Sequence, residues 1–290
     1  MSWEYQNGNY KVTIDDEGTK IRHSDNPIPE WPESMDIKVT NDCDGGCAYC
    51  HEMSVPGGAR FNPINFGRLV APLPDGIELA IGGGNPLTCL NDFAELRDYV
   101  DLNGLIMNMT INAKHLHRVK PGDLDRFTAI GISYHPRLHE QIKKFYAEFG
   151  HKHQIVIHLI AGVHTLHDLG MCLGDFKKVL VLGYKKVGRG IKFNQKTIDT
   201  KISEWERGIG EYIGWADTVL AFDNLAITQL DIRRFFSDEK WSQFYMGNDG
   251  QFSMYMDLVK MEYARSSTSS DRFPIGDMTI KEMFKHVRSL

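Results

Sequence analysis

Met35-Asp36-Ile37-Lys38-Val39-Thr40 alternates apolar and polar side chains and runs directly into Asn41-Asp42-Cys43-Asp44-Gly45-Gly46-Cys47-Ala48-Tyr49-Cys50-His51-Glu52. Alternation with a period of two is the signature of a strand, because successive side chains face opposite ways. A strand therefore delivers three cysteines, spaced C-x3-C-x2-C, onto one loop. Thiolates that close together reach three corners of one metal centre, and Gly45 and Gly46 let the backbone fold tightly enough to bring them there. The fourth corner is left open. An iron ion so placed binds a small molecule directly, as a catalytic zinc keeps one free position. The alternative reading of the same residues is a Cys3His zinc site, with His51 or a distant histidine as fourth ligand. Zinc modules usually pair C-x2-C knuckles, and this chain has no second one.

Outward from this loop the chain alternates strand and helix. Short runs rich in β-branched or aromatic residues occur at 77–81, 106–111, 127–133, 155–160, 179–182 and 219–222. Helical spacing falls between them: Phe93, Leu96 and Val100 after Asn91 with Gly104 as a stop; Leu138, Ile142, Phe145 and Phe149 between Pro136 and Gly150; Trp205, Ile209, Tyr212 and Ile213 further on. Strands separated by helices predict a parallel sheet, since parallel neighbours need a crossover connection. The expected fold class is α/β, a partial (β/α)6 TIM-type barrel over residues 35–225, with an N-terminal hairpin and lead-in over 1–34 and a C-terminal α+β extension over 226–290.

In the lead-in, Tyr10, Val12 and Ile14 alternate up to the turn-rich Asp15-Asp16-Glu17-Gly18, and residues 19–22 return; Pro27, Pro29 and Pro32 then interrupt regular structure. In the extension, residues 242–246 and 251–256 flank Gly247-Asn248-Asp249-Gly250 and predict a hairpin. Residues 266–270 read as a loop. Thr279 and Glu282 form a capping box that opens a helix with Ile280, Met283, Phe284 and Val287 on one face.

The chain of 290 residues is 42% hydrophobic and 24% charged, the composition of an ordinary globular enzyme. A net charge of -5 argues against a protein held to nucleic acid by neutralising phosphates. No apolar run approaches the ~20 residues that span a bilayer, and the start lacks a basic segment followed by an apolar one, so a cytoplasmic protein without a membrane partner is expected. Five cysteines, three of them within eight residues, do not make a disulfide framework.

With an aromatic residue, Tyr49, just before its last cysteine, the loop resembles the cluster loop of the radical S-adenosylmethionine enzymes. The resemblance implies a [4Fe-4S] cluster held by Cys43, Cys47 and Cys50, whose unique iron chelates the amino and carboxylate groups of S-adenosylmethionine. It further implies reductive cleavage to a 5′-deoxyadenosyl radical that abstracts hydrogen from a substrate; the cofactor does the hard chemistry while the protein positions it.

Ile81-Gly82-Gly83-Gly84-Asn85-Pro86-Leu87 follows the second barrel strand, where consecutive glycines allow close approach of a ligand to the backbone. The rival reading of these residues is a plain turn. Matched in order, Gly83, Gly84, Asn85 and Pro86 resemble the family's Gly-Gly-Glu-Pro motif, which contacts the methionine amino group. Asn85 replaces the usual Glu: its amide oxygen accepts a hydrogen bond from an ammonium but supplies no charge. Tyr49 is expected at the cofactor too. Ligand sites in such barrels gather at the C-terminal ends of strands, which adds Asn112, Ser133 with Tyr134, and Val163 or His164. By resemblance, residues after the fourth and fifth strands meet the ribose and carboxylate of the cofactor, and backbone near Gly183 flanks its adenine.

Lys177, Lys178, Lys185, Lys186, Arg189, Lys192 and Lys196 form a basic stretch, read first as a solvated face and second as a receptor for a substrate phosphate or carboxylate. His151, His153, His158, His164 and His167 show no ligand spacing, and Cys89 and Cys172 read as buried inert thiols. The tail resembles the C-terminal extension of peptide-modifying radical enzymes, without the cysteines that these usually carry. The functional expectation is hydrogen abstraction from a peptide or protein side chain, with a nucleotide, nucleic-acid base or other small molecule as the alternative substrate and a flavodoxin- or ferredoxin-type electron donor. A zinc-stabilised binding module is the non-enzymatic rival. Tail and N-terminal hairpin are expected to close over the substrate.

Overall fold

The computed structural model describes residues 3–15, 18–96, 104–214 and 217–290. Trp3–Asn7 (β1), Tyr10–Ile14 (β2) and Lys20–His23 (β3) make a small antiparallel sheet in the order β1-β2-β3. The expected hairpin is β2–β3, and β1 is an addition, paired with β2 from Trp3 opposite Ile14 to Asn7 opposite Tyr10. Within the expected turn, Asp16 and Glu17 lie outside the described residues, as does Val100 of the first expected helix.

The body alternates as expected: Ser34–Thr40 (β4), Pro63–Val70 (α1), Glu78–Gly83 (β5), Leu90–Leu96 (α2), Ile106–Asn112 (β6), Ala129–Ser133 (β7), His139–Phe149 (α3), Gln154–Ile160 (β8), Leu166–Asp175 (α4), Lys178–Leu182 (β9), Gln195–Gly208 (α5), Val219–Phe222 (β10) and Asn224–Gln229 (α6). Strands β4 to β10 lie side by side in chain order, all parallel. Met35, Ile37, Val39, Leu79, Ile81, Met109, Ile111, Ile130, Ile132, Ile157, Leu159 and Val181 are buried, while the alternate positions Asp36, Ala80, Asn108, Thr110, Ser133, His158 and Leu180 are not. One face of each strand packs beneath helices and the other lines a lumen. Four strands separate β4 from β9 in the sheet, yet a Cβ on Gly188, after β9, would lie 2.3 Å from the His51 carbonyl oxygen, after β4. Only a sheet curled into a partial barrel brings those loops together.

The extension differs from expectation. Residues 242–246 do not form a strand: Asp238–Phe244 is a helix (α7), capped by Ser237, whose hydroxyl accepts from Lys240 N. The Trp241 and Tyr245 rings stack with centroids 4.6 Å apart, a contact between neighbouring helical turns that a strand would forfeit. The segment 247–250 therefore connects α7 to Ser253–Asp257 (β11), and the hairpin comes later, between β11 and Glu262–Ala264 (β12), which pairs in turn with Phe273–Pro274 (β13). Strand β11 lies parallel to β4, with Met254 opposite Met35 and Asp257 opposite Lys38, so the extension continues the barrel sheet past its first strand. The last helix, Ile280–Ser289 (α8), has the expected Thr279–Glu282 capping box and buries Ile280, Met283, Phe284 and Val287.

The N-terminal sheet does not close over the cysteine end. Lys20 Nζ is 2.7 Å from Glu78 Oε2 at the start of β5, Arg22 Nε is 2.7 Å from Glu33 just before β4, and a Cβ on Gly18 would lie 3.3 Å from Gln154 Oε1 at the start of β8. The buried Glu33 and the half-buried Glu78 seat Arg22 and Lys20 at the N-terminal ends of the strands, opposite the cysteines. Among the described residues no helix is long and apolar enough to cross a membrane.

Candidate active site

The loop at residues 41–60 leaves β4 and is fastened at its base. Asn41 N donates to Ala59 O at 2.8 Å, Val55 N to Asn41 O at 2.9 Å and Cys43 N to Val55 O at 3.0 Å. The Asp42 carboxylate accepts from Gly57 N at 2.9 Å and from Arg60 at 3.0 Å. Cys43, Cys47 and Cys50 are free and half-buried. Gly45 N points at Cys43 Sγ (3.3 Å) and Asn112 Nδ2 at Cys47 Sγ (3.7 Å), contacts that favour thiolate over thiol. Burial pushes the Cys47 thiol up, and Lys114 is the first group to oppose it.

Two flanks clamp the loop backbone. From β9, Arg189 donates from Nε to Cys47 O (3.1 Å), from its guanidinium to Ser54 O (3.0 Å) and from its main chain to Cys50 O (3.1 Å). From β6, Lys114 Nζ donates to Gly45 O at 2.7 Å, while Arg118 and His115 hold the Asp44 carboxylate. Among the described residues no three Cys, His, Asp or Glu side chains converge on a single metal-ion position. His51, the adjacent candidate for a fourth zinc ligand, turns its Nε2 to Glu52 Oε1 (3.3 Å) and Lys185 Nζ (3.4 Å). Three part-exposed thiols on one loop, with N–H groups aimed at sulfur, fit an iron-sulfur cluster better than a closed tetrahedral zinc site.

The glycine motif is stitched to the base of this loop. Gly84 N donates to Thr40 O at 2.6 Å and Asn85 N to Asp42 O at 2.8 Å. Gly83 has φ +119°, and a Cβ on Gly83 or Gly84 would sit 2.6 Å from Thr40 O or 2.5 Å from Asp42 O. The approach that glycine permits is thus first of all that of β5's end to β4's. Pro86 opens a short 3-10 turn and is buried, and Asn85 caps it, its Oδ1 accepting from Leu87 N at 3.4 Å. That oxygen has a backbone partner already, and Asn85 is 1% exposed.

The other expected contacts divide. Tyr49 lies against Phe193 (centroids 5.6 Å) and burial pushes its hydroxyl up to about 12. Asn112 touches the cysteine loop as described, and Ser133 stands beside it in register, facing the lumen. Gly183 donates its N–H to Asp223 Oδ1 at 2.9 Å, and a Cβ there would meet Leu225 and Ala226 of α6 within 2.7 Å. It packs beneath a helix. Tyr134 is buried with its hydroxyl 3.0 Å from His139 Nδ1. The buried His164 ring bridges Ile160 N (2.8 Å) and Tyr134 O (3.2 Å), and Val163 O accepts from Lys201 Nζ (3.1 Å). Tyr134 and His164 hold chain to chain rather than line the mouth.

The basic stretch is only partly a solvated face. Besides Arg189, Lys185 Nζ donates to Ser267 Oγ at 2.7 Å, Lys178 to Gln154 at 2.9 Å, and Lys186 pairs with Asp199 at 2.9 Å. The lumen carries two further groups, Asp36, to which sequence reasoning gives no role, and His158, which it sets aside for want of ligand spacing. Desolvation inside the lumen, opposed by Lys185, raises Asp36 to about 6, and desolvation with Lys185 lowers His158 to about 4. Gly131 leaves room for the His158 ring, since a Cβ there would lie 2.4 Å from its Cε1. Their only sequence signal is a polar residue at an inward strand position.

No protein family and no curated relative matches the sequence. Solved structures match in fold. One is Streptococcus suis SuiB bound to S-adenosylmethionine, with 13% identity and a TM-score of 0.56 over 90% of this chain and 69% of that one. Another is native anSMEcpe with bound AdoMet and Cp18Cys peptide, with 14% identity and a TM-score of 0.56 over 87% of this chain and 80% of that one. Both of those structures hold S-adenosylmethionine. The chain is built on the partial-barrel fold of those proteins, and its C-x3-C-x2-C loop opens from the first parallel strand of that barrel.

Proposed function

We propose that the chain is a radical S-adenosylmethionine enzyme in which Cys43, Cys47 and Cys50 hold a [4Fe-4S] cluster. The carrying observation is the loop itself: three free thiols at the end of β4, with the backbone clamped from β6 and β9 and the sulfurs left available. When bound, the cluster supplies the electron that splits S-adenosylmethionine to a 5′-deoxyadenosyl radical, which takes hydrogen from substrate. This chain's residues do the positioning. Gly45 N and Asn112 orient two sulfurs, and Arg189 and Lys114 fix the carbonyl groups of Cys47 and Gly45. We assign Tyr49, Gly83, Gly84, Asn112 and Ser133 to S-adenosylmethionine, with the buried Asn85 and Pro86 shaping the turn behind the glycines. Of Gly183 only the carbonyl is left for the adenine.

The substrate we assign is a peptide or protein side chain. The peptide bound by anSMEcpe supports this, together with an extension that builds onto the barrel sheet beside the cysteine strand. The nucleotide alternative rested on the basic stretch, four of whose residues are tied to protein partners. The electron donor is assigned as a flavodoxin- or ferredoxin-type protein, and the compartment as the cytoplasm. Anaerobically reconstituted protein with dithionite and S-adenosylmethionine should release 5′-deoxyadenosine, faster with a peptide pool than with mixed nucleotides. Stimulation by nucleotides alone would overturn the substrate assignment. Stoichiometric zinc with no iron and no 5′-deoxyadenosine would overturn the class.

A further inference from the structure

Glu52 stands two positions after the last cysteine, and its carboxylate enters a buried ion-pair group. Glu52 Oε2 lies 2.6 Å from Lys38 Nζ, which also reaches Asp257 Oδ2 at 3.1 Å; the side chains of Lys38, Glu52 and Asp257 are 4%, 11% and 6% exposed. Glu52 Oε1 accepts from the Tyr255 hydroxyl at 3.3 Å and lies 3.3 Å from His51 Nε2. One carboxylate thus joins three separate segments: Lys38 on β4, the cysteine loop, and Tyr255 with Asp257 on β11. The pairing of β11 with β4 places Asp257 opposite Lys38 and Tyr255 opposite Asp36, so the meeting follows from the register of the sheet. A second link runs alongside it. Lys185 Nζ contacts His51 Nε2 (3.4 Å) and Ser267 Oγ (2.7 Å), and the Arg272 guanidinium lies 4.6 Å from the centre of the Tyr255 ring. Ser267, Arg272, Tyr255 and Asp257 all belong to the extension.

Buried ion pairs are a poor means to stability, because desolvation offsets most of their attraction and well-packed apolar residues often serve as well. What such a group does supply is one fixed arrangement of the segments that share it. Here one of those segments carries the thiols.

We propose that Glu52 is a positioning residue that fastens the Cys50 end of the cysteine loop to the C-terminal extension, so that the seating of β11 against β4 sets the place of the third cysteine. Arg189 fixes the same stretch from the β9 side. The extension thereby acts on the cofactor end of the barrel. The inference rests on the cluster reading of the three cysteines, and its test has one arm that needs no cluster.

Glu52→Gln keeps the shape and removes the charge; Tyr255→Phe removes one hydrogen bond from the extension side and leaves no buried charge unpaired. In metal-free protein, hydrogen exchange of residues 41–60 should quicken by at least about tenfold in Glu52→Gln, the factor lost with one hydrogen bond to a charged group, and by less in Tyr255→Phe. In reconstituted protein, both variants should broaden or shift the electron paramagnetic resonance of the reduced cluster. Exchange unchanged in residues 41–60 while residues 253–264 loosen would overturn the proposal, as would a cluster spectrum identical to that of the unsubstituted protein. If Glu52→Gln does not fold, Tyr255→Phe carries both measurements. If the unsubstituted protein takes up no iron, the cluster reading fails, and the exchange arm still decides whether Glu52 fastens the loop.

Discussion

The two ends of the barrel are both packed with charge, and they use it differently. At the N-terminal end, Glu33 is 1% exposed and accepts from Arg22 Nε (2.7 Å), the second Arg22 nitrogen (2.9 Å) and the Tyr10 hydroxyl (2.6 Å). Glu78 likewise takes Lys20 at 2.7 Å and Asn108 at 2.6 Å. These two carboxylates meet their cations and help to close the end. At the C-terminal end, the cations Arg189 and Lys114 bind carbonyl oxygens of Cys47, Ser54 and Gly45, leaving the thiols without a covalent or ionic partner. One end spends its charge on holding the fold, and the other spends it on holding a loop whose reactive atoms stay available.

The comparison breaks first at the sulfurs. Cys47→Ala should abolish 5′-deoxyadenosine formation, because a cluster loses one of three ligands, while its melting temperature by circular dichroism stays within a few degrees; full activity would remove the distinction between the ends. The converse holds at the other end. Arg22→Ala leaves the Glu33 carboxylate buried beside only Tyr10 and should cost about 3 kcal/mol of stability in urea unfolding, with iron content per folded molecule unchanged. Loss of iron without loss of stability would contradict that assignment.

A smaller effect sharpens the role of the clamp. Arg189→Ala should weaken cluster retention against a chelator by about 10- to 100-fold, as for groups that orient metal ligands, with only modest loss of stability. The smallest effect concerns the lumen between the ends. Desolvation inside the lumen raises Asp36 from 3.8 to about 6, so the folded state binds its proton more tightly than the unfolded state does. Its contribution to stability is present below about pH 4 and lost as pH rises through about 6. Asp36→Asn should therefore gain melting temperature relative to the unsubstituted protein between pH 4 and 6, by less than the shift alone implies because the side chain keeps contact with water. A difference that stays flat with pH would show that the lumen does not desolvate this carboxylate.

The strands were legible because each carries its own signal. Met35 to Thr40 alternates locally, and the later barrel strands are short local runs rich in β-branched or aromatic residues, so neither existence nor order required knowledge of contacts. The cysteine spacing and the Thr279–Glu282 cap were legible for the same reason. What escaped depends on residues distant in sequence. The alternation of residues 253–256 marks a strand but not its partner, and pairing with β4 exists only once the barrel has curled. Residues 242–246 follow a helical stacking of Trp241 on Tyr245 that a strand reading overlooks. Arg189 and Lys185 sit in a basic run with no local mark to separate a side chain that reaches back to Cys47 or His51 from one that meets water. The resemblance points to Gly183 and the strand-end rule to His164, and their space or hydrogen bonds are taken by α6 and by backbone.

The central claim is an open iron site at the end of β4, and the direct measurement is electron paramagnetic resonance of the anaerobically reconstituted, dithionite-reduced protein with and without S-adenosylmethionine. The account predicts a reduced [4Fe-4S] signal that shifts when S-adenosylmethionine is added and is lost in Cys47→Ala. An iron signal indifferent to S-adenosylmethionine, or no iron signal beside stoichiometric zinc, would contradict it.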